Sequence, residues 1–150
     1  MKIAIATDHG GFHLKKSIVE FLRKEQITVE DFGPMSAERV DYPDFAFKVV
    51  ESVSSGEAQG GILICGTGLG MAIAANKARG IRAVTVDHVY AAQMAKEHNN
   101  ANVITFGGRM LDAPKAVRLV KAWLRAKFQG ARHQLRLNKI SEKEISSLVI

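Results

Sequence analysis

The only cysteine in the sequence stands where it could do chemistry. Cys65 ends the apolar run GGILIC and is followed by GTGLG, residues 66–70. The glycines allow close backbone approach, and the start of the helix predicted to follow supplies unpaired N–H groups that favour an anion. The same field favours the thiolate form of a neighbouring cysteine. We therefore interpret this loop as an oxyanion site beside a reactive thiolate, with Thr67 as a hydroxyl donor.

Other glycine-loop motifs fit the segment less well. A phosphatase of the Cys-x5-Arg type needs arginine where this chain has Met71. A dinucleotide fingerprint needs glycine at that position and normally follows the first strand, although Asp87 lies about 20 residues on, where a ribose-binding acid belongs. A P-loop is excluded because no Gly-Lys-Ser/Thr follows. A non-catalytic nucleotide-binding domain that uses GTGLG and Asp87 stays open as an alternative.

Further polar residues lie beside predicted strand ends and helix starts. Asp8 and His9 follow the first apolar run and could bind sugar hydroxyls, although Asp8 could also cap the next helix. His9 and His13 are four residues apart, but Gly10-Gly11 separates them and no third ligand has convincing spacing, so no metal site is expected. Asp41 precedes a predicted helix with proline in its first turn and could be only a cap.

Three arginines could form a phosphate clamp. Arg109 follows the fifth predicted strand, and Arg132 and Arg136 lie four apart on one helical face. Guanidinium groups bind phosphate through paired hydrogen bonds, although the last two could equally belong to a solvated face. His98 and Asn99 end another predicted helix, where helix capping is the simple alternative to a functional role.

Apolar runs and amphipathic stretches alternate along the chain and predict the elements that position these residues. Strands are predicted at 2–7, 27–32, 60–65, 81–86 and 101–106, and helices at 11–25, 43–55, 70–78, 88–98, 113–127 and 131–145. The alternation implies right-handed crossovers and a three-layer α/β/α sandwich around a five-stranded parallel, Rossmann-like sheet, with the last helix as an extra C-terminal element. Ligands of such sheets collect at the carboxyl ends of the strands.

Composition fits a single domain spanning residues 1–150. The chain is 47% hydrophobic and 24% charged, as in an ordinary soluble protein. No apolar run is long enough to span a membrane, no signal-peptide pattern opens the chain, and a lone cysteine offers no internal disulfide, so a cytoplasmic protein is expected.

The net charge of +6 lies largely on amphipathic segments without aromatic stacking residues. That distribution favours a solvated face or capture of a small anion over nucleic-acid binding.

Five segments closely resemble the type B ribose-5-phosphate isomerases, of the ribose/galactose sugar-phosphate isomerase superfamily. They are TDHGGFHLK (7–15), ERVDYPDFA (38–46), GGILICGTGLGMAIAANKARGIRA (60–83), EHNNANVITFGGR (97–109) and FQGARHQLRLNKI (128–140). The likeness covers essentially the whole chain, and CGTGLG…AANK together with EHN…GGR is highly specific. It implies a five-stranded parallel sheet, a homodimer or dimer of dimers, and catalysis without a metal or other cofactor.

The resemblance also implies roles for individual residues. Cys65 would be the base that moves the proton, and His98 would assist ring opening as proton donor. The oxygens of an enediolate would be held by Thr67 and by the backbone of Gly66, Gly68, Leu69 and Gly70. The sugar would be bound by Asp8, His9, Asp41, Tyr42 and Asn99, and the phosphate by Arg109, Arg132 and Arg136. Relatives without this cysteine use a glutamate farther along the helix, whereas 72–75 here holds no carboxylate.

The reaction implied by the resemblance is the interconversion of D-ribose 5-phosphate and D-ribulose 5-phosphate, a step of the pentose phosphate pathway. The alternative within the superfamily is another aldose phosphate, such as allose 6-phosphate or galactose 6-phosphate. A six-carbon substrate would require the arginines to lie slightly farther from Cys65.

The topology adds an expectation about subunits. Cys65 ends a strand at the carboxyl edge of the sheet, and helix 88–98 must run from that edge back to the opposite one. Eleven residues at 1.5 Å give roughly 16 Å, which is too far for one sugar phosphate to bridge comfortably. If His98 and Asn99 serve the chemistry of Cys65, a neighbouring subunit must supply them across a two-fold interface.

Overall fold

The computed structural model describes residues 1–147, in which strands and helices alternate as the sequence predicts. The strands are β1 (Lys2–Thr7), β2 (Thr28–Asp31), β3 (Gly60–Cys65), β4 (Ala83–Thr85) and β5 (Val103–Gly107). The helices are α1 (Phe12–Lys24), α2 (Tyr42–Ser54), α3 (Leu69–Ala75), α4 (Val89–Glu97), α5 (Ala113–Arg125) and α6 (Arg132–Ser146). Within this part of the chain, no helix combines the length and the apolar character that crossing a membrane requires.

The five strands form one parallel sheet, which confirms the predicted α/β fold. Their order is β2-β1-β3-β5-β4, so β5 is inserted between β3 and β4. The register pairs Thr7 with Ile64 and Cys65 with Gly107. The loops that follow β1, β3 and β5 therefore leave the carboxyl edge side by side, next to the β1–β3 pair at which the strand order reverses.

Two hydrophobic clusters, one on each face of the sheet, produce the three layers. Helices α1, α4 and α5 pack on one face against side chains that include Ile5, Ile64 and Phe106. Helices α2 and α3 pack on the other face, against Leu63 and Cys65 among others. Successive side chains of a strand point to opposite faces, so the thiol of Cys65 lies on the same side of the sheet as α3.

Helix α3 ends three residues before the predicted boundary because an asparagine side chain takes part in another interaction. The amide nitrogen of Asn76 donates to the carbonyl of Ala83, and the N–H of Ala83 donates to the amide oxygen of Asn76, both at 2.8 Å. The side chain thus pairs with the start of β4 as a neighbouring strand would. Such side-chain to backbone bonds compete with continuation of a helix.

The extra C-terminal helix is present and lies at the amino edge of the sheet. Its buried side chains are His133 and Leu137. Together with residues around the start of β4, such as Arg82, it borders a cavity of about 700 Å³. Leu135 and Ile140 are 66% and 58% exposed, so α6 leaves apolar surface uncovered within the chain.

Candidate active site

The loops after β1, β3 and β5 meet backbone to backbone through glycines. The N–H of Gly108 donates to the carbonyl of Cys65 at 2.8 Å, and that of Arg109 donates to the carbonyl of Gly66 at 3.1 Å. A Cβ atom on Gly10 would lie 2.9 Å from the nitrogen of Gly66, closer than real side chains allow. The three loops can form one continuous floor only because these positions carry no side chain.

Cys65 is buried at the centre of this floor, with 5% of its surface exposed. Its Sγ atom accepts a hydrogen bond from the N–H of Gly68 at 3.1 Å. Gly68 has φ of +82°, and a Cβ there would lie 2.7 Å from the Cα of Phe106, so glycine is required on both counts. A backbone N–H directed at sulfur stabilises a negative charge on it.

The same loop retains hydrogen-bond donors that could face a ligand. Thr67 is exposed, and its hydroxyl oxygen accepts from the N–H of Leu69 at 3.3 Å. Two of the loop's N–H groups, those of Gly68 and Leu69, are therefore already engaged. Between residues 1 and 147 the N–H groups of Thr67 and Gly70 have no acceptor. The N–H group of Gly66 likewise has no acceptor in this part of the chain, so these three amides are available to an oxyanion.

Asp8 and His9 are held in place beside this floor. One carboxylate oxygen of Asp8 accepts from the N–H groups of Gly10 and Gly11, at 2.7 and 3.2 Å. Asp8 thus shapes the turn before α1, whereas the N-cap position itself is Gly11. The Nδ1 atom of His9 accepts from the N–H of Val40 at 3.4 Å, which links the loop after β1 to the segment that precedes α2.

The start of α2 and the loop after β5 cover the floor. A Cβ on Gly70 would lie 2.6 Å from the Cζ atom of Tyr42, so the tyrosine ring lies directly over the start of α3. Asp41 occupies the N-cap position of α2 without a side-chain capping bond. The guanidinium carbon of Arg109 lies 3.3 Å from a Cβ built on Gly66, and no carboxylate of the described residues forms an ion pair with it.

His98 and Asn99 lie at the other edge of the sheet, where α4 ends. The ring of His98 stacks on that of His133 from α6, with centroids 4.2 Å apart and planes inclined by 12°. The left-handed residue that ends the helix is Asn100, with φ of +44°, and its N–H donates to the carbonyl of Lys96. The helix end is therefore completed by Asn100, and the side chains of His98 and Asn99 are not needed as caps.

His133 is a residue of this second group that the sequence analysis missed. It is buried, and its Nε2 atom has no hydrogen-bond partner among the residues described. Desolvation lowers the pKa of His133, and the positive charges of His98, Arg132 and Arg136 lower it further. The motif RHQLR could have indicated it, since His133 falls on the buried face of α6 together with Leu137.

The predicted site residues thus fall into two groups within one chain. The group at the carboxyl edge consists of Asp8, His9, Asp41, Tyr42, Cys65, Gly66, Thr67, Gly68, Leu69, Gly70 and Arg109. The group at the amino edge consists of His98, Asn99, Arg132 and Arg136. Helix α4, nine residues or about 13 Å long, separates them. The three arginines of the expected clamp are divided, with one beside Cys65 and two beside His98.

The nucleotide-binding alternative depends on Asp87. This residue borders a cavity of about 440 Å³ together with Thr67 and Leu69, so it does lie near the glycine loop. Its carboxylate is already bonded to Nδ1 of the neighbouring His88, and this bond is the main cause that lowers the pKa of Asp87. One of the two carboxylate oxygens of Asp87 is thus engaged within the chain.

We expect acidification to destabilise the protein through His133. Because folding lowers its pKa, the unfolded chain takes up a proton first as pH falls below about 6.5, so the stability present above that value is lost on acidification. His133→Phe keeps a ring on His98 and should flatten the fall of Tm between about pH 7 and pH 5. The exposed His13→Phe is the matched control. An unchanged slope in His133→Phe would contradict the assignment.

Comparison with known proteins confirms the resemblance. Residues 3–140 match the family described as Ribose/Galactose Isomerase. Ribose-5-phosphate isomerase B of Escherichia coli (strain K12) is 48% identical over 143 residues, which are 95% of this chain and 96% of that protein. Clostridium thermocellum ribose-5-phosphate isomerase B superposes with a TM-score of 0.96 at 51% identity, covering 98% of this chain and 99% of that chain. The Mycoplasma genitalium ribose-5-phosphate isomerase B, solved with bound ribulose-5-phosphate, superposes with a TM-score of 0.92 at 43% identity over 95% of each chain. The chain therefore belongs to the ribose/galactose isomerase family of aldose–ketose isomerases.

Proposed function

We propose that this isomerase interconverts D-ribose 5-phosphate and D-ribulose 5-phosphate, with Cys65 as the base. The observation that carries the proposal is the buried thiol at the end of β3, whose sulfur accepts the N–H of Gly68. The guanidinium of Arg109 lies beside it and has no ion-pair partner among the residues described. Relatives named ribose-5-phosphate isomerase B that align over nearly the whole chain support the choice of substrate. The proposed setting is the pentose phosphate pathway in the cytoplasm.

The proposed reaction moves one proton between two neighbouring carbons. His98 donates a proton to the ring oxygen as the C1 hydroxyl gives one up and the ring opens, and the thiolate of Cys65 then removes the C2 proton to give a cis-enediolate. The resulting thiol returns the proton at C1 while the proton of the C2 hydroxyl passes to the oxygen on C1, so the net change is an isomerisation. The hydroxyl of Thr67 and the N–H groups of Gly66, Thr67 and Gly70, which have no acceptor among the residues described, would hold the enediolate oxygens. A donor of this kind is worth about 3–4 kcal/mol in other enzymes.

We further propose that each active site is shared between two copies of the chain. The separation of Cys65 from His98 along α4 supports this, because one substrate cannot reach both groups within a chain. The division of the phosphate arginines supports it independently, since Arg132 and Arg136 accompany His98. Both regions also expose apolar side chains that a second copy could cover, such as Leu69 near Cys65 and Leu135 on α6. A homodimer, or a dimer of dimers, would complete the site.

Activity should survive exhaustive chelation. Residues 1–147 contain no group of three His, Cys, Asp or Glu side chains that could hold a metal ion, and an enediolate held by N–H and hydroxyl donors does not require one. Incubation with EDTA, dialysis and a repeated assay should leave kcat unchanged. Loss of activity that zinc, manganese or magnesium restores would contradict the scheme.

A panel of sugar phosphates, followed by NMR in both directions, tests the proposed substrate. We expect ribose 5-phosphate and ribulose 5-phosphate to have the highest kcat/KM. Preference for allose 6-phosphate or galactose 6-phosphate would support an aldose–ketose isomerase but would overturn the assignment of a pentose phosphate as its substrate. Tight binding of a nucleotide with no turnover of any sugar phosphate would overturn both.

A further inference from the structure

A buried hydroxyl on β5 contacts the loop that carries Cys65. Thr105 is fully buried, and its Oγ1 donates to the carbonyl oxygen of Gly68 at 2.9 Å. The hydroxyl of Thr85, opposite Thr105 in the β4–β5 register, lies 2.9 Å from the Oγ1 atom of Thr105. Since the one proton of Thr105 is directed at Gly68, Thr85 must donate to Thr105. A chain of hydrogen bonds therefore runs from the edge strand to the site loop.

Gly68 connects this chain to the sulfur. Its N–H donates to Cys65 at 3.1 Å, while its carbonyl accepts both from Thr105 and from the N–H of Ala72 in the first turn of α3. A glycine with φ of +82° has wide conformational freedom, so its own backbone does little to hold this geometry. Apart from Cys65 itself, the hydroxyl of Thr105 is the side chain among the residues described that hydrogen-bonds Gly68 to the rigid sheet.

We propose that Thr105 is a positioning residue of the isomerase, whose hydroxyl fixes Gly68 so that the Gly68 N–H stays on the sulfur of Cys65. Loss of the hydroxyl would let Gly68 move, weaken the N–H···S bond and reduce the thiolate fraction of Cys65. Consecutive hydrogen bonds polarise one another, so the bond from Thr85 should strengthen the effect. The catalytic consequence rests on the proposed function, in which Cys65 is the base.

The chain offers a matched set of variants. Thr105→Val removes the hydroxyl and keeps the shape, whereas Thr105→Ser retains the hydroxyl. Thr7→Val is the control, because Thr7 is equally buried in a strand and its hydroxyl has no partner among the residues described. Because Cys65 is the only cysteine, thiolate absorbance in the ultraviolet and alkylation by iodoacetamide both report on that residue alone.

In Thr105→Val we expect alkylation at neutral pH to slow by about fivefold and kcat to fall by a similar factor, as for loss of one ordinary hydrogen bond, with little change in KM. The thiolate absorbance should appear at higher pH than in the wild type. Thr105→Ser and Thr7→Val should behave as the wild type. If Thr105→Val does not fold, Thr85→Val takes its place, with a smaller effect in the same direction.

Wild-type alkylation and absorbance in Thr105→Val, or in its substitute, would overturn the proposal. Equal effects in Thr105→Val and Thr7→Val would also overturn it, since they would reflect packing alone. Slower alkylation with an unchanged kcat would uphold the link from Thr105 through Gly68 to Cys65 and would contradict Cys65 as the base. That last outcome separates failure of the proposed function from failure of the positioning role.

Discussion

Replacement of Cys65 by alanine is expected to lower kcat by several orders of magnitude while KM changes little. The thiol is the proposed base, and among the residues described it is the one acceptor of the Gly68 N–H. The groups expected to bind the sugar and the phosphate, such as Asp8 and Arg109, are untouched by the change. Steady-state kinetics in both directions, followed by NMR, measures the two parameters separately.

Cys65→Ser sharpens the test because it keeps the size and hydrogen-bonding ability of the side chain. A hydroxyl is a far weaker base at neutral pH, so this variant should be nearly as inactive as the alanine variant. Circular dichroism and elution volume check that both variants fold and assemble normally. Retention of more than about a tenth of the activity in Cys65→Ala, a loss smaller than about 1.4 kcal/mol, would show that the base is wrongly assigned.

Two inactive variants should restore activity to each other when they assemble together. Cys65→Ala damages the group at the carboxyl edge, and His98→Ala/Asn99→Ala damages the group at the amino edge. If each site takes one group from each chain, a mixed dimer has one doubly damaged site and one intact site. Unfolding, mixing and refolding equal amounts should return about a quarter of wild-type activity, because half of randomly assorted dimers are mixed.

Arg109 supplies a control for this experiment. It lies over Gly66, in the same group as Cys65, so a mixture of Cys65→Ala with Arg109→Ala leaves no site intact and should stay inactive. A mixture of Cys65→Ala with Arg132→Ala/Arg136→Ala should recover, because those arginines belong to the other group. Mixed dimers of Cys65→Ala and His98→Ala/Asn99→Ala that form and remain inactive would contradict the shared site.

Local patterns in the sequence were sufficient to predict the elements and the loop around Cys65. The strand 60–65 is a continuous apolar run with abrupt boundaries, and both its limits were predicted correctly. Strand order was not accessible, because β5 lies between β3 and β4 through pairing of distant segments that local periodicity does not encode. The early end of α3 depends on a distant partner in the same way, since Asn76 bonds to Ala83.

The sequence suggested which residues belong to the candidate site but not how the fold arranges them. Residue types and the resemblance suggested one phosphate clamp, whereas within one chain Arg109 lies apart from Arg132 and Arg136. The stack of His98 on His133 was missed because it joins α4 to α6, two elements far apart in the sequence. Thr105 was missed because a lone threonine in an apolar strand is ordinary, and only its hydrogen bonds to Gly68 and Thr85 distinguish it from Thr7.

Isomerisation in deuterated water tests the central claim, proton transfer through an enediolate with Cys65 as base, most directly. A thiol that carries the proton exchanges it with solvent, so ribulose 5-phosphate formed from ribose 5-phosphate should contain deuterium at one C1 position, as seen by NMR. Ribose 5-phosphate recovered after many turnovers should likewise have exchanged the hydrogen at C2, and Cys65→Ala should produce neither signal. Complete conversion with no deuterium in either sugar would match direct hydride transfer rather than a proton carried by an exchangeable thiol, and would contradict the account.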